Sequence, residues 1–199
     1  MDSGVAMVTK AGARRGARRR MTGVSLHFVL DPVLTPSLRD QLVTLWVDAT
    51  NAGGAVGFVA PVSAADVRPV AEAAFAGIAD GPDRLLVGYA GDRPAGMLII
   101  VDHRFPLKDH WRVLKRVMVH PDAQGHGYGA ALMREAERVC RAAGLAALHV
   151  TVRAGLGLES FYARLGYREV GRLPGALRLA PGDDRDEVLM WLDLAAPAT

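Results

Sequence analysis

The chain has 199 residues, half of them hydrophobic and 23% charged, with a formal net charge of +3. That is about one domain of chain with enough apolar material for a core, which excludes a wholly disordered polypeptide. A single cysteine, Cys140, excludes a disulfide scaffold and any Cys-rich zinc module.

No uninterrupted apolar run approaches the ~18 residues of a membrane span. The six histidines are scattered, with no H-x-x-x-H or H-E-x-x-H spacing, so no metal is expected. The basic balance is concentrated at one end. Residues 1–22 carry six basic side chains against Asp2, a net of +5, which leaves −2 for the rest. A body at −2 is poor ground for a nucleic-acid partner. Residues 1–23 read as a disordered basic leader, with contact to anionic polymers or membranes as the competing use. Residues 24–199 read as a single domain. The Arg cluster is followed only by the short segment 24–30 and then Asp31-Pro32, which does not make a secretory signal. Cytoplasm is the expected compartment, with no membrane partner.

Residues 24–30 alternate and predict a first strand, broken by Asp31-Pro32. From Pro36 to Ala49, apolar residues Leu38, Leu42, Leu45, Trp46 and Ala49 recur at helical spacing. Residues 51–57 are too glycine-rich for a regular element. Ser63 with Asp66 three residues on predicts a capping box for a helix to Ala79, with Pro69 as a kink or the true start. Residues 84–90 and 95–102 read as a hairpin around Gly91-Asp92-Arg93-Pro94. A loop over 105–110 leads to a strand over 111–119, stopped by His120-Pro121. After a Gly-rich turn comes a helix over 129–143, ended by Gly144. A strand over 148–152, a short helix over 159–165 and two strands over 167–171 and 187–194 complete the chain. The order is β-α-α-β-β-β-α-β-α-β-β, a mixed α/β fold. Its one clear parallel crossover joins strands 111–119 and 148–152 through the helix between them.

Gln124, Gly125, His126, Gly127, Tyr128, Gly129 and Ala130 lie between that strand and that helix. A helix start leaves amide N–H groups unpaired and carries about half a positive charge, and glycines let an anion approach the backbone. A pyrophosphate is the natural guest. The Gly-Lys-Ser/Thr of a kinase-type loop is absent. Gly125, Gly127 and Ala130 match the letters of a dinucleotide fingerprint. The following strand offers no carboxylate for a ribose, and its next residue is Arg153.

The string from Arg116 to Gly129 resembles the acetyl-CoA signature of the GNAT N-acetyltransferase family, an apolar strand followed by Q/R-x-x-G-x-G/A, with Gln124, Gly127 and Gly129 in the three key slots. Phe161-Tyr162-Ala163-Arg164-Leu165-Gly166-Tyr167 is similar to a second block of that family, and the blocks are separated by one helix and one strand, as they are there. The glycine-rich stretches 53–58 and 171–175 further resemble the branch that includes tabtoxin-resistance acetyltransferases.

The resemblance implies a strongly twisted, mostly antiparallel mixed sheet with helices on both faces. It implies acetyl-CoA as co-substrate, its pantetheine arm along the backbone of Val117, Met118 and Val119 and its pyrophosphate on residues 124–130. Tyr162 takes the role of the acid that protonates the departing thiolate. A phenol near pKa ~10 can donate to a thiolate whose acid has pKa ~8.5. The implied acceptor is a primary amine of a small molecule, attacked directly in a ternary complex. A protein amine is the alternative acceptor, and a non-catalytic acyl-CoA sensor the alternative role.

Two positions depart from the family pattern. Val113, Leu114 and Lys115 stand where many relatives keep a Glu, and Gly155 stands where an Asn is common. Asp102, His103 and Asp109 are the remaining candidate bases. Cys140 is expected to face the core, Trp46 to pack or to line an acceptor pocket, and Trp191 to pack. The 51–58 turn is expected to contact the acceptor. An exposed last strand could pair in a homodimer.

Overall fold

The computed structural model describes residues 26–195; the expected leader over 1–23 lies outside them. The Thr35 side chain accepts the Leu38 amide at 3.2 Å and, with Pro36 in the first turn, starts α1 (Pro36–Asn51). Ser63 and Asp66 form the expected capping box at the head of α2 (Ala64–Ala79). That helix begins ahead of Pro69 and continues through it.

The strands are β1 (Leu26–Leu30), β2 (Arg84–Ala90), β3 (Arg93–Val101), β4 (Trp111–Val119), β5 (Ala147–Arg153), β6 (Arg168–Ala180) and β7 (Asp183–Asp193). α3 (Tyr128–Ala142) joins β4 to β5, and α4 (Leu158–Ala163) follows β5. The element order matches the sequence expectation. One seven-stranded sheet runs β1-β2-β3-β4-β5-β7-β6. Every neighbouring pair is antiparallel except β4 and β5.

Side-chain alternation divides the core between the two faces of the sheet. On one face, Leu42, Trp46, Val67 and Phe75 of α1 and α2 pack on Leu85, Val87, Met97 and Met118. On the other, Leu132, Met133, Ala136 and Cys140 of α3 and Tyr162 of α4 pack on Leu98, Val150, Val188 and Met190. Leu148, Val150 and Val152 of β5 enter this second cluster. His149, Thr151 and Arg153, at the intervening positions, point to the α1/α2 side beyond the helices' cover.

The last two strands are longer than periodicity predicts. β6 has 13 residues and β7 has 11, joined at Pro181-Gly182. Residues 172–186 lack a buried apolar face, so they carry no alternating signal. Cross-strand ion pairs hold them instead, Arg178 to Asp184 at 2.7 Å and Arg172 to Asp186 at 3.3 Å. Pro174 is tolerated because β6 is the sheet edge. The last strand, β7, therefore lies between β5 and β6 and offers no free edge for a second copy. No described helix is long and apolar enough to cross a membrane.

Candidate active site

β4 is interrupted at the point where the sheet opens. Ile99 pairs with Lys115 and Met97 with Met118, so the single residue Leu98 faces both Arg116 and Val117. This β-bulge bends β4. Arg116 adopts a left-handed backbone with φ 55°, a conformation that costs a non-glycine residue about 1–3 kcal/mol. Tertiary contacts over-determine it. The guanidinium lies 5.1 Å from the centre of the Trp46 ring, and Nη1 donates to the Val56 carbonyl at 3.1 Å. The Trp46 indole donates to the same carbonyl at 3.0 Å. Gly57 leaves room for the cation, since a Cβ there would come within 1.8 Å of Arg116 Nη1.

β4 and β5 pair only from Trp111–Val113 to Ala147–His149. Beyond that they part, and, among the described residues, 114–119 keep β3 on one side and no strand on the other. An unpaired strand edge presents main-chain donors and acceptors to an extended ligand. Val117 and Val119 are half-buried on this stretch, and Met118 between them is buried against the α1/α2 layer.

The glycine turn closes the open end. Gly125 (φ 77°) and Gly127 (φ 81°) are left-handed, and Gly127 is the N-cap of α3 without a side-chain cap. Gly127 offers the first turn of α3 no side-chain cap, an arrangement of the kind that suits an anion. A Cβ at 125 or 127 would meet nothing within 4 Å, so backbone conformation, not crowding by the protein, selects glycine there. A Cβ on Gly129 would lie 3.5 Å from Phe161 Cζ, which sets the start of α3 beside α4.

Gln124 donates to the Val119 carbonyl at 3.0 Å, tying the turn to the strand end. His126 Nδ1 is 2.8 Å from the Gln124 carbonyl, and its ring is 6.3 Å from that of Tyr128. Ala130 lies in the first turn of α3. His120 is a further support that motif matching overlooks. Its Nδ1 accepts the Asp122 amide at 3.2 Å, and its Nε2 lies 3.3 Å from Asp48 on α1.

Tyr162 is buried on α4, its ring 5.1 Å from Phe161 and 5.5 Å from Tyr167. Val117 and Phe161 pack on the same cluster. Burial pushes the Tyr162 phenol well above its ordinary range, so it holds its proton throughout the neutral pH range. Its hydroxyl has no hydrogen-bond partner among the described residues.

Tyr167 is raised too, and burial pushes the Cys140 thiol up to about 11. These groups bind protons more tightly when folded. Their contribution is complete below the unfolded pKa values of ~8.5 for Cys and ~10 for Tyr, and it declines as pH rises above them. The denaturant midpoint is therefore expected to stay level to about pH 8.5 and then fall. Native Cys140 is expected to resist a thiol reagent at pH 8 and to react fully once the chain is unfolded. A thiol that is labelled at the same rate in both states would show that α3 does not shield it.

The candidate bases do not reach this region. β3 runs antiparallel to β4, so Val101 pairs with Val113 at the closed end, six residues and roughly 20 Å from Val119. There Asp102 pairs with Arg112 at 2.5 Å, and the His103 ring lies 3.9 Å from that of Trp111, tilted by 59°. Burial, ahead of nearby cations, lowers the His103 pKa. Asp109 is exposed beside His110. Trp191 packs 5.0 Å from Trp111 in the same cluster.

On the α1/α2 side of the opening lies a cavity of about 480 Å³. The 55–59 turn, Arg116, Thr151, Arg153, residues 176–179 of β6 and Glu187 of β7 surround it. Trp46 is fully buried beneath that turn and does not line the cavity. Sequence reading placed the turn at the acceptor side. It overlooked Arg116, Arg153 and Glu187. The available signals were a guanidinium inside an apolar strand and an Arg at a strand's carboxyl end, where open sheets bind ligands.

A strand edge left open along 117–119 that runs into a glycine turn at a helix start suits the pantetheine arm and pyrophosphate placements that the sequence resemblance implies. The model of the Acetyltransferase (GNAT) family matches residues 60–167, and the chain belongs to that family. Solved structures share the fold. Salmonella typhimurium yncA, crystallised with acetyl-CoA, superposes with a TM-score of 0.66 at 17% identity, covering 89% of this chain and 98% of its own. An N-acetyltransferase from Staphylococcus aureus gives 0.68 at 14% identity over 84% and 99% of the two chains. The ribosomal-protein-S18-alanine N-acetyltransferase of Escherichia coli gives 0.64 at 18% identity over 86% and 97%.

Proposed function

We propose that this protein moves an acetyl group from acetyl-CoA to a primary amine of a small molecule, by direct attack in a ternary complex. The observation that carries the reading is the uncapped, left-handed glycine turn at the open end of the β4–β5 wedge. Residues 124–130 would hold the pyrophosphate, chiefly through main-chain amides, and the free edge of β4 from 117 to 119 would hold the pantetheine arm. When bound, acetyl-CoA supplies an activated acyl thioester. Tyr162 keeps the proton that a departing thiolate needs, because burial disfavours its phenolate. Cys140 faces the α3 core and does not line the cavity, which supports transfer without a covalent enzyme intermediate.

The acceptor cavity supports a small molecule over a protein chain. Its volume of about 480 Å³ is in the range of small-ligand sites. The 55–59 turn and β6 wall it on two sides, whereas an extended peptide needs an open groove. The test is release of CoA thiol from acetyl-CoA with a panel of primary amines and a lysine-bearing peptide. Turnover with small amines is expected. Turnover only with the peptide would move the acceptor to proteins. Tight acetyl-CoA binding with no turnover on any amine would make the chain a sensor.

A further inference from the structure

The charges in the acceptor cavity are not balanced within the protein. Most partly buried arginines elsewhere have a carboxylate. Arg39 pairs with Glu72 at 2.5 Å and Arg112 with Asp102 at 2.5 Å, and the exposed Arg84 pairs with Asp31. A second surface cavity, lined by Arg39 and Arg84, is thus neutralised. Arg178, at the outer wall of the acceptor cavity, is neutralised by Asp184.

Arg116 and Arg153 differ. Both are partly buried, both line the acceptor cavity, and neither has an ion-pair partner among the described residues. Arg93, Arg134, Arg164 and Arg168 also lack a partner there, but all four are exposed to water. Arg116 and Arg153 converge on one turn. Arg116 donates to the Val56 carbonyl at 3.1 Å and Arg153 to the Gly53 carbonyl at 3.5 Å. Each guanidinium carries five N–H donors, so most of each fork is uncommitted. Burial disfavours the Arg116 charge, and an anion between the two guanidinium groups would offset that cost.

Glu187 completes the pattern. It lies directly opposite Arg153 in the β5–β7 register, hence on the same face of the sheet. Yet Arg153 turns to the 53–57 turn, and Glu187 has no ion pair among the described residues. The cavity therefore presents two cations near the turn, one carboxylate on β7, and an apolar lining from Phe58, Val59 and Leu177 between them.

Building on the acetyl-transfer reading above, we infer that the acceptor is an amine that also bears a carboxylate, an amino-acid-like zwitterion with an apolar body. Arg116 and Arg153 seat the carboxylate, and Glu187 faces the ammonium. Arg is suited to this, because its planar fork matches a carboxylate bidentately. Such a site discriminates strongly, since an analogue without the acid leaves the guanidinium pair uncompensated.

The experiment compares each L-amino acid with its primary amide and its decarboxylated amine. Thiol release gives kcat/KM, and calorimetry in the presence of CoA gives binding without turnover. Apolar amino acids are expected to exceed their amides and decarboxylated amines by at least ~50-fold in kcat/KM. Arg153→Gln is expected to shrink that ratio at least ~10-fold. Glu187→Gln is expected to raise KM for the amine while leaving the preference for the acid-bearing member intact. Equal or better turnover of the decarboxylated amines would overturn this inference and leave acetyl transfer standing. So would a ratio that Arg153→Gln does not move. Carboxylate-dependent binding with no thiol release would support the cavity assignment and remove the transfer reading. Absence of both signals would remove both.

Discussion

Gly127→Glu is expected to abolish CoA binding in calorimetry. Gly127 has φ 81° and caps α3 with no side chain of its own. Glutamate acts there in two ways. Its Cβ strains the left-handed backbone, at about 1–2 kcal/mol. Its carboxylate also competes for the first amides of α3, where charge-assisted bonds to phosphate oxygens are worth roughly 1.5–3 kcal/mol each. Loss of two such contacts is at least a ~100-fold loss of affinity. Gly127→Ala separates the causes. Nothing lies within 4 Å of the added Cβ, so alanine brings strain without charge. Its melting temperature should fall about as far as that of the glutamate variant, with far weaker loss of CoA binding. If both variants bind CoA equally, the helix start is not the anion seat.

Tyr162→Phe is expected to lower kcat about 10²–10⁴-fold, the range of a positioned general acid, with KM for acetyl-CoA changed only a few-fold. Stability should hardly change. The ring still fills its place between Phe161 and Tyr167. The lost hydroxyl leaves no partner unsatisfied among the described residues. The pH profile adds a second check. Because burial raises the Tyr162 phenol, any alkaline fall in wild-type rate below pH ~9 must come from another group. The Phe variant should keep that limb at a lower plateau. An unchanged kcat would assign Tyr162 to packing alone.

The two motif blocks were legible because their chemistry is local. A glycine turn after an apolar strand, followed by an amphipathic helix, reads from neighbours in the chain, and the structure puts Gly125 and Gly127 in left-handed conformations. The capping box at Ser63 and Asp66 was equally local. The full length of the β6–β7 hairpin was not, because residues 172–186 bury no alternating face and are held by ion pairs between strands. Asp102, His103 and Asp109 looked eligible as bases because they follow a strand. The antiparallel run of β3 carries them to the closed end of the wedge.

Composition, periodicity and the spacing of the glycine turn from the Phe161-Tyr162 block determined the element order and the family, since each depends on residues a few places apart. The pairing of strands decided the rest. β4 and β5 part after Val113, just ahead of the one-residue bulge at Arg116, and the cavity lies beside that parting. The same pairing brings Arg116, Arg153 and Glu187 from three strands to its walls. No local pattern reports a contact between residues separated by dozens of positions, because the energy that selects it comes from burial and charge shared across the whole sheet.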